Sequence, residues 1–186
     1  MNASPGILHF PLRLAQAILL TAALSAGFGS SANAATEPLN AIDGIAMDGF
    51  DVVAYFRVGK PVKGLAEHTV EYQGSNWVFS SRENADAFRQ NPEAYAPQFN
   101  GWCAYAVSQG YGAEVDFIDG WSILDDKLYL NWSKGVRDDF IANQAALKPR
   151  AKQNWPQVRS GIIDGSIEIA RHKRYFGVGI KHPQQL

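Results

Sequence analysis

The only cysteine in the 186-residue chain, Cys103, stands inside the run GWCAYAV (101–107). A lone thiol can ligate a soft metal ion, act as a nucleophile or redox centre once ionised, or pack as a small apolar group. For Cu(I), two or three soft or borderline donors suffice. His68 and Met47 are the best companions that residues 35–186 offer. No spacing motif links 47, 68 and 103, so a metal site made of Cys103, His68 and Met47 requires the fold to assemble it. A cysteine nucleophile needs a base to hold it as thiolate. Beyond residue 34 the histidines are His68, His172 and His182, and the last two lie in the C-terminal segment. The sequence contains no C-x-x-C, no glycine-rich phosphate loop and no H-E-x-x-H. Asp116, Asp119, Asp125 and Asp126 lack the alternation and the terminal glutamate of a calcium loop. The chain therefore reads as a non-enzymatic protein. Flanked by Trp102, Ala104 and Tyr105, Cys103 also fits inert packing. If Trp102 or Tyr111 lines a cleft beside it, a small apolar ligand becomes possible.

The elements that must position these residues follow from the pattern. HTVEYQGSNWVFS (68–80) has two β-branched and aromatic runs around a polar QGSN, which predicts a β-hairpin. WSILDDKLYLNW (121–132) repeats the pattern with Asp125-Asp126 in the turn. After the first hairpin, Ser80 and Glu83 have capping-box spacing and predict a helix that Asn91-Pro92 ends. After the second, Ser133 predicts a cap for a helix to about Ala146, stopped by Pro149. FDVVAYF (50–56) reads as a strand or a helical turn, and NGWCAYAVSQG (100–110) as a short helix. Trp77, Phe79, Phe88, Tyr95, Trp121, Tyr129, Leu130 and Trp132 are the predicted core. The fold class is α+β, a small antiparallel sheet of two hairpins with packed short helices in a single domain.

The N-terminal 34 residues carry one basic residue (Arg13), an apolar run from Leu14 to about Phe28, and Ala32-Asn33-Ala34. This is the pattern of a secretory signal peptide cleaved after Ala34, and it places the protein in a periplasm or outside the cell. The apolar run is short and rich in Ala, Ser and Gly, whereas a membrane span needs roughly 20 apolar residues. From Ala35 to Leu147 there are 8 Lys or Arg against 16 Asp or Glu; from Lys148 to Leu186 there are 8 against 2. An acidic domain is followed by a basic segment. Such a tail could lie weakly on an anionic membrane surface or dock on the acidic domain. Export excludes nucleic acid as a partner and leaves a metal ion or a periplasmic protein.

At Tyr72-Gln73-Gly74, Trp77, Phe79, Ser81, Phe88 and Asn91-Pro92-Glu93-Ala94-Tyr95 the chain resembles the YHS domains. It resembles exported members more closely, through Asp51–Phe56, Gly59–Gly64, Gly101–Val107 and Asn154–Pro156. The resemblance spans about residues 47–157. It divides the chain into a signal peptide (1–34), a YHS-like domain (35–157) and a basic C-terminal extension (158–186). It implies metal association, copper included, through cysteine ligands. The positions of those cysteines fall here on Ser80, Asn84 and near Ala54, which are poor ligands for soft ions. The implied function is an exported, non-enzymatic binding or accessory protein linked to metal handling. The alternatives are a structural or interaction module with a buried inert cysteine, and a thiol-based redox enzyme.

Overall fold

The computed structural model describes residues 1–2 and 39–172. The predicted signal peptide from residue 3 onward lies outside the described residues, as do residues 173–186 of the basic extension with His182. The chain divides into two compact units, Met1–Ala34 and Ala35–Leu186, and the described fold belongs to the second. No helix among the described residues is long and apolar enough to cross a membrane.

The fold opens with a hairpin, β1 (Ala41–Ile42) and β2 (Ile45–Ala46), followed by a 3-10 turn at Met47–Gly49 and a helix, α1 (Val52–Arg57). A second hairpin follows, β3 (Leu65–Tyr72) and β4 (Ser75–Phe79), then α2 (Arg82–Gln90), α3 (Pro92–Tyr95) and α4 (Ala104–Ser108). The short strand β5 (Gly112–Ala113) precedes a third hairpin, β6 (Trp121–Leu124) and β7 (Lys127–Leu130). Two helices, α5 (Lys134–Ala142) and α6 (Gln144–Asp164), and the strand β8 (Ile169–Ala170) complete it. The architecture is α+β. The first sheet runs β1-β2-β4-β3, with β3 and β4 antiparallel and β2 joined to β4 in parallel.

All three hairpins turn through two residues at positive φ: Asp43-Gly44, Gln73-Gly74 and Asp125-Asp126. That is the demand of a type I′ turn, whose twist matches that of the strands it joins. Residues 39–49 make the first hairpin and the turn at Met47–Gly49.

Two apolar clusters fill the interior. One gathers Trp77, Phe79 and Phe88 with Met47, Val53 and Cys103; the other gathers Phe99, Tyr129, Phe140, Leu147 and Val158. The Phe88 ring lies 5.0 Å from Trp77, 5.0 Å from Phe79 and 5.5 Å from Tyr72. Leu130 is buried, and Tyr95, Trp121 and Trp132 are half-buried against the first cluster.

Two local expectations are corrected. Ser81, not Ser80, caps α2, its Oγ accepting from Asn84 N at 3.2 Å. Ser133 does cap its helix, but that helix ends at Ala142 and α6 begins at Gln144, running through Pro149 and Pro156. Each proline withdraws one backbone donor. The burial of Leu147, Ala151, Val158 and Gly161 overrides that loss. Asn154 adds a tie, donating from Nδ2 to Val107 O (3.2 Å) and Ser108 O (3.0 Å) at the end of α4. Residue 157 lies inside α6, and residues 158–172 continue the fold.

Phe88→Ala removes the ring that three aromatics share. It should cost about 3–5 kcal/mol, read as a lower urea midpoint with an unchanged slope.

Candidate functional site

Asp51 is fully buried, yet no cation touches its carboxylate in the described contacts. It begins α1, and Oδ1 accepts from Val53 N (2.9 Å) and Ala54 N (3.1 Å). Oδ2 accepts from Ser80 N (2.8 Å), Ser80 Oγ (2.6 Å) and Asn84 Nδ2 (2.7 Å). Arg57 Nη1 in turn donates to Asn84 Oδ1 at 3.0 Å. Ser80, Asn84 and Ala54 are the positions where the resemblance places cysteine ligands. Ser80 Oγ and Asn84 Nδ2 are donors already committed to a carboxylate, Asn84 Oδ1 is taken by Arg57, and backbone N–H groups cannot ligate a cation. These residues do not fit a soft metal ion; the network supplies the cross-link by hydrogen bonds alone.

Cys103 lies elsewhere, at the N-cap of α4 and 1% exposed. The loop before it is strained: Phe99 (φ 55°) and Asn100 (φ 52°) are both left-handed, followed by Gly101 (φ 80°). Left-handed backbone in two successive non-glycine residues costs on the order of 1–3 kcal/mol each. The loop is held by Asn40, which donates from N to Asn100 O and from Nδ2 to Gly101 O, both at 3.0 Å. Gly101 is required twice over, because a Cβ there would also sit 2.6 Å from Met47 Sδ.

Beside Cys103 opens a pocket of about 220 Å³, lined by Tyr105, Ala106, Tyr111, Ala113, Trp132, Val136 and Ala170. Tyr111 therefore lines the cleft as the small-ligand expectation required, while Trp102 packs into the second cluster. The Cys103 backbone is pinned by its N–H to Ala113 O at 3.0 Å. The sulfur accepts from Ala106 N at 3.5 Å and faces Asn131 Oδ1 at 4.0 Å. Burial pushes the thiol pKa up; the N–H groups of Ala106, Trp132 and Tyr105 pull the other way and are outweighed.

The other two expected donors are placed differently. Met47 is fully buried in the same apolar cluster as Cys103, its sulfur against Gly101. His68 sits on the bulged part of β3, in a separate cleft with Glu67, Arg82, Asp86 and Arg89, its side chain 23% exposed and 3.6 Å from Glu67. Among the described pockets, none is lined by more than one of Cys103, His68 and Met47. Among the described residues no group of three or more His, Cys, Asp or Glu side chains could hold a metal ion. Residue spacing left this open, because nothing in the sequence says that α2 rather than α4 packs beside His68. Sequence reasoning also missed Asp51, although an aspartate directly before an apolar helical run is an N-cap signal.

Two outcomes are expected. Asp51→Ala strands five donors and should lower stability by about 3–5 kcal/mol, while a chelator leaves the melting temperature of the wild-type chain unchanged. Cys103, held as the thiol by burial, should show an alkylation rate still climbing above the ordinary thiol pKa of about 8.5, with no plateau at neutral pH.

No curated protein and no solved structure matches the chain. The profile of the YHS domain family matches residues 53–99, from α1 through α3 to the strained loop. YHS domains are regarded as metal-binding, a property in keeping with a binding or accessory role. That segment holds the Asp51-linked positions Ala54, Ser80 and Asn84, and stops short of Cys103; residues 53–99 are the part of the chain that matches the YHS domain.

Proposed function

We propose that this chain is an exported, non-enzymatic binding protein whose ligand site is the Cys103 pocket, not the cysteine positions of the YHS domain. The observation that carries this reading is the pocket's lining. Tyr105, Tyr111 and Trp132 surround a small apolar space, and the buried thiol is one of its walls. An apolar cavity of ~150 Å³ takes up benzene, so 220 Å³ accommodates a one-ring molecule. The described lining residues include no carboxylate or imidazole to act as a base. With the thiol pKa raised, binding is favoured over nucleophilic or redox work.

Copper handling is the narrower version of this role. It draws support from the YHS resemblance and from Cys103 as the soft donor in the pocket. Against it, the described lining offers no imidazole or thioether as a second ligand, and Cu(I) takes two or three. Export to a periplasm or the medium rests on the signal-peptide pattern of residues 1–34. A protein partner there, and weak contact of the basic tail with a membrane surface, belong to the same proposal.

Titration with p-cresol should quench tryptophan emission with a Kd on the order of 0.1–1 mM, the range open to about eight buried heavy atoms. Val136→Trp, which fills the pocket from its rim, should abolish the response. Absence of quenching and of heat sinks the ligand reading and leaves an interaction module with a packed cysteine. Near-stoichiometric Cu(I) uptake against a competing chelator, lost in Cys103→Ser, would establish the metal version instead.

A further inference from the structure

The Cys103 pocket is closed on one side by the segment that follows α6. Gly165 ends that helix in a left-handed conformation (φ 76°), and the chain turns back. Ile167 packs onto Gly161, where an added Cβ would meet it at 2.5 Å, and its N–H reaches Gly161 O at 3.0 Å. Ile169 and Ala170 then pair in parallel with Gly112 and Ala113, and Glu114 N donates to Ala170 O at 2.9 Å. Ala170 lines the pocket. The strand it pairs with, β5, is the one whose Ala113 carbonyl receives the Cys103 N–H. β5 is thus held by the thiol-bearing residue and by the returning segment together.

The end of the segment is fastened at one buried carboxylate. Glu114, 4% exposed at the side chain, accepts from Arg171 Nη1 at Oε1 (3.2 Å) and from His172 N at Oε2 (2.9 Å). The His172 ring stacks on Trp132, a lining residue, with centroids 3.7 Å apart and planes 21° apart. A parallel ladder of two residues is among the weakest elements a fold can contain, and such elements open at a free energy well below global unfolding. Through Ala170 the segment forms part of the wall of the pocket that Cys103 also lines.

We propose that residues 166–172 are a strap that gates the Cys103 pocket, fastened by Glu114 and the His172–Trp132 stack. The strap sets how fast a ligand or reagent reaches the thiol. The proposal rests on the Cys103 pocket being the site of function, but its test reads the sulfur and needs no ligand.

The probe is 4,4′-dithiodipyridine. The Cys103 thiolate attacks one sulfur of its disulfide, forms a mixed disulfide and releases 4-thiopyridone, which is followed by absorbance. In the full chain the wild-type reaction should be slow, because the thiol is buried. The double variant Arg171→Ala with His172→Ala should react about 5- to 20-fold faster with its cooperative melt retained, as expected for loss of a local closure. Arg171→Ala alone, at a side chain 65% exposed, should give a smaller increase in the same direction, and it decides the matter if the double variant does not fold. Ser81→Ala, which removes the α2 cap elsewhere, is the control for general loosening. Unchanged rates in the strap variants overturn the gate, as does an equal acceleration in the control. Faster labelling in a chain that takes up no p-cresol would sink the ligand reading and keep the strap.

Discussion

A carboxylate with no access to water must be surrounded by donors, and Asp51 draws five of them from three separate stretches of chain. Two come from the first turn of α1, two from Ser80 at the end of β4, and one from Asn84 in α2. Losing any one leaves a buried group unsatisfied, at about 1–3 kcal/mol. The network therefore fixes the angle at which α1 meets the β4–α2 corner. Everything beyond follows from where α1 points. Tyr55, on that helix, donates its hydroxyl to Phe117 O at 2.7 Å, which sets the loop leading from β5 to β6. Burial, reinforced by the negative charges of Asp116 and Asp51, raises the Tyr55 pKa well above its usual range, so this hydroxyl stays a donor. The start of α1 is thus closed onto the β4–α2 corner by hydrogen bonding through Asp51.

The second constraint is the strained loop before Cys103. Phe99 and Asn100 would relax to ordinary backbone if nothing opposed them. Asn40 holds the Asn100 and Gly101 carbonyls, the Phe99 ring packs 5.7 Å from Trp155 and 6.2 Å from Tyr129, and Asn154 satisfies the far end of α4. The Asn154–Trp155–Pro156 motif, unexplained in the sequence, is the part of α6 that grips the Cys103 loop and its helix. The thiol is itself a poor helix cap, since sulfur accepts weakly. Its place at that N-terminus is not explained by local helix stability, and this is why the pocket beside it carries the functional reading.

How much of this the sequence disclosed depends on the range of the interaction. The hairpins over 68–80 and 121–132 were legible because alternation and turn chemistry are local. The cap of α2 was missed by one residue, because Ser80 and Ser81 both precede a helical run. Only the distant Asp51 decides which serine faces inward. Pro149 looked like a stop, and it is one for an isolated helix; burial against α4 reverses that outcome. The run from residue 158 reads in sequence as a basic extension because its charge differs from the domain's. Charge describes the surface of that segment, while Val158, Gly161 and Ile167 describe its buried side.

The same contrast bears on what the pocket can do. A thiol at a helix start, facing three backbone N–H groups, has the beginnings of a thiolate site. Two features push it back toward the protonated form. The residues around it are apolar or aromatic, and Ala170 adds to that lining beside Trp132, on which His172 stacks. The balance between desolvation and backbone dipoles therefore depends on a segment far along the chain. With the segment in place, Cys103 is a small apolar wall; with it displaced, the same N–H groups act on a sulfur that water can reach. The chemistry open to this residue is set less by its own neighbours in sequence than by two residues of parallel strand.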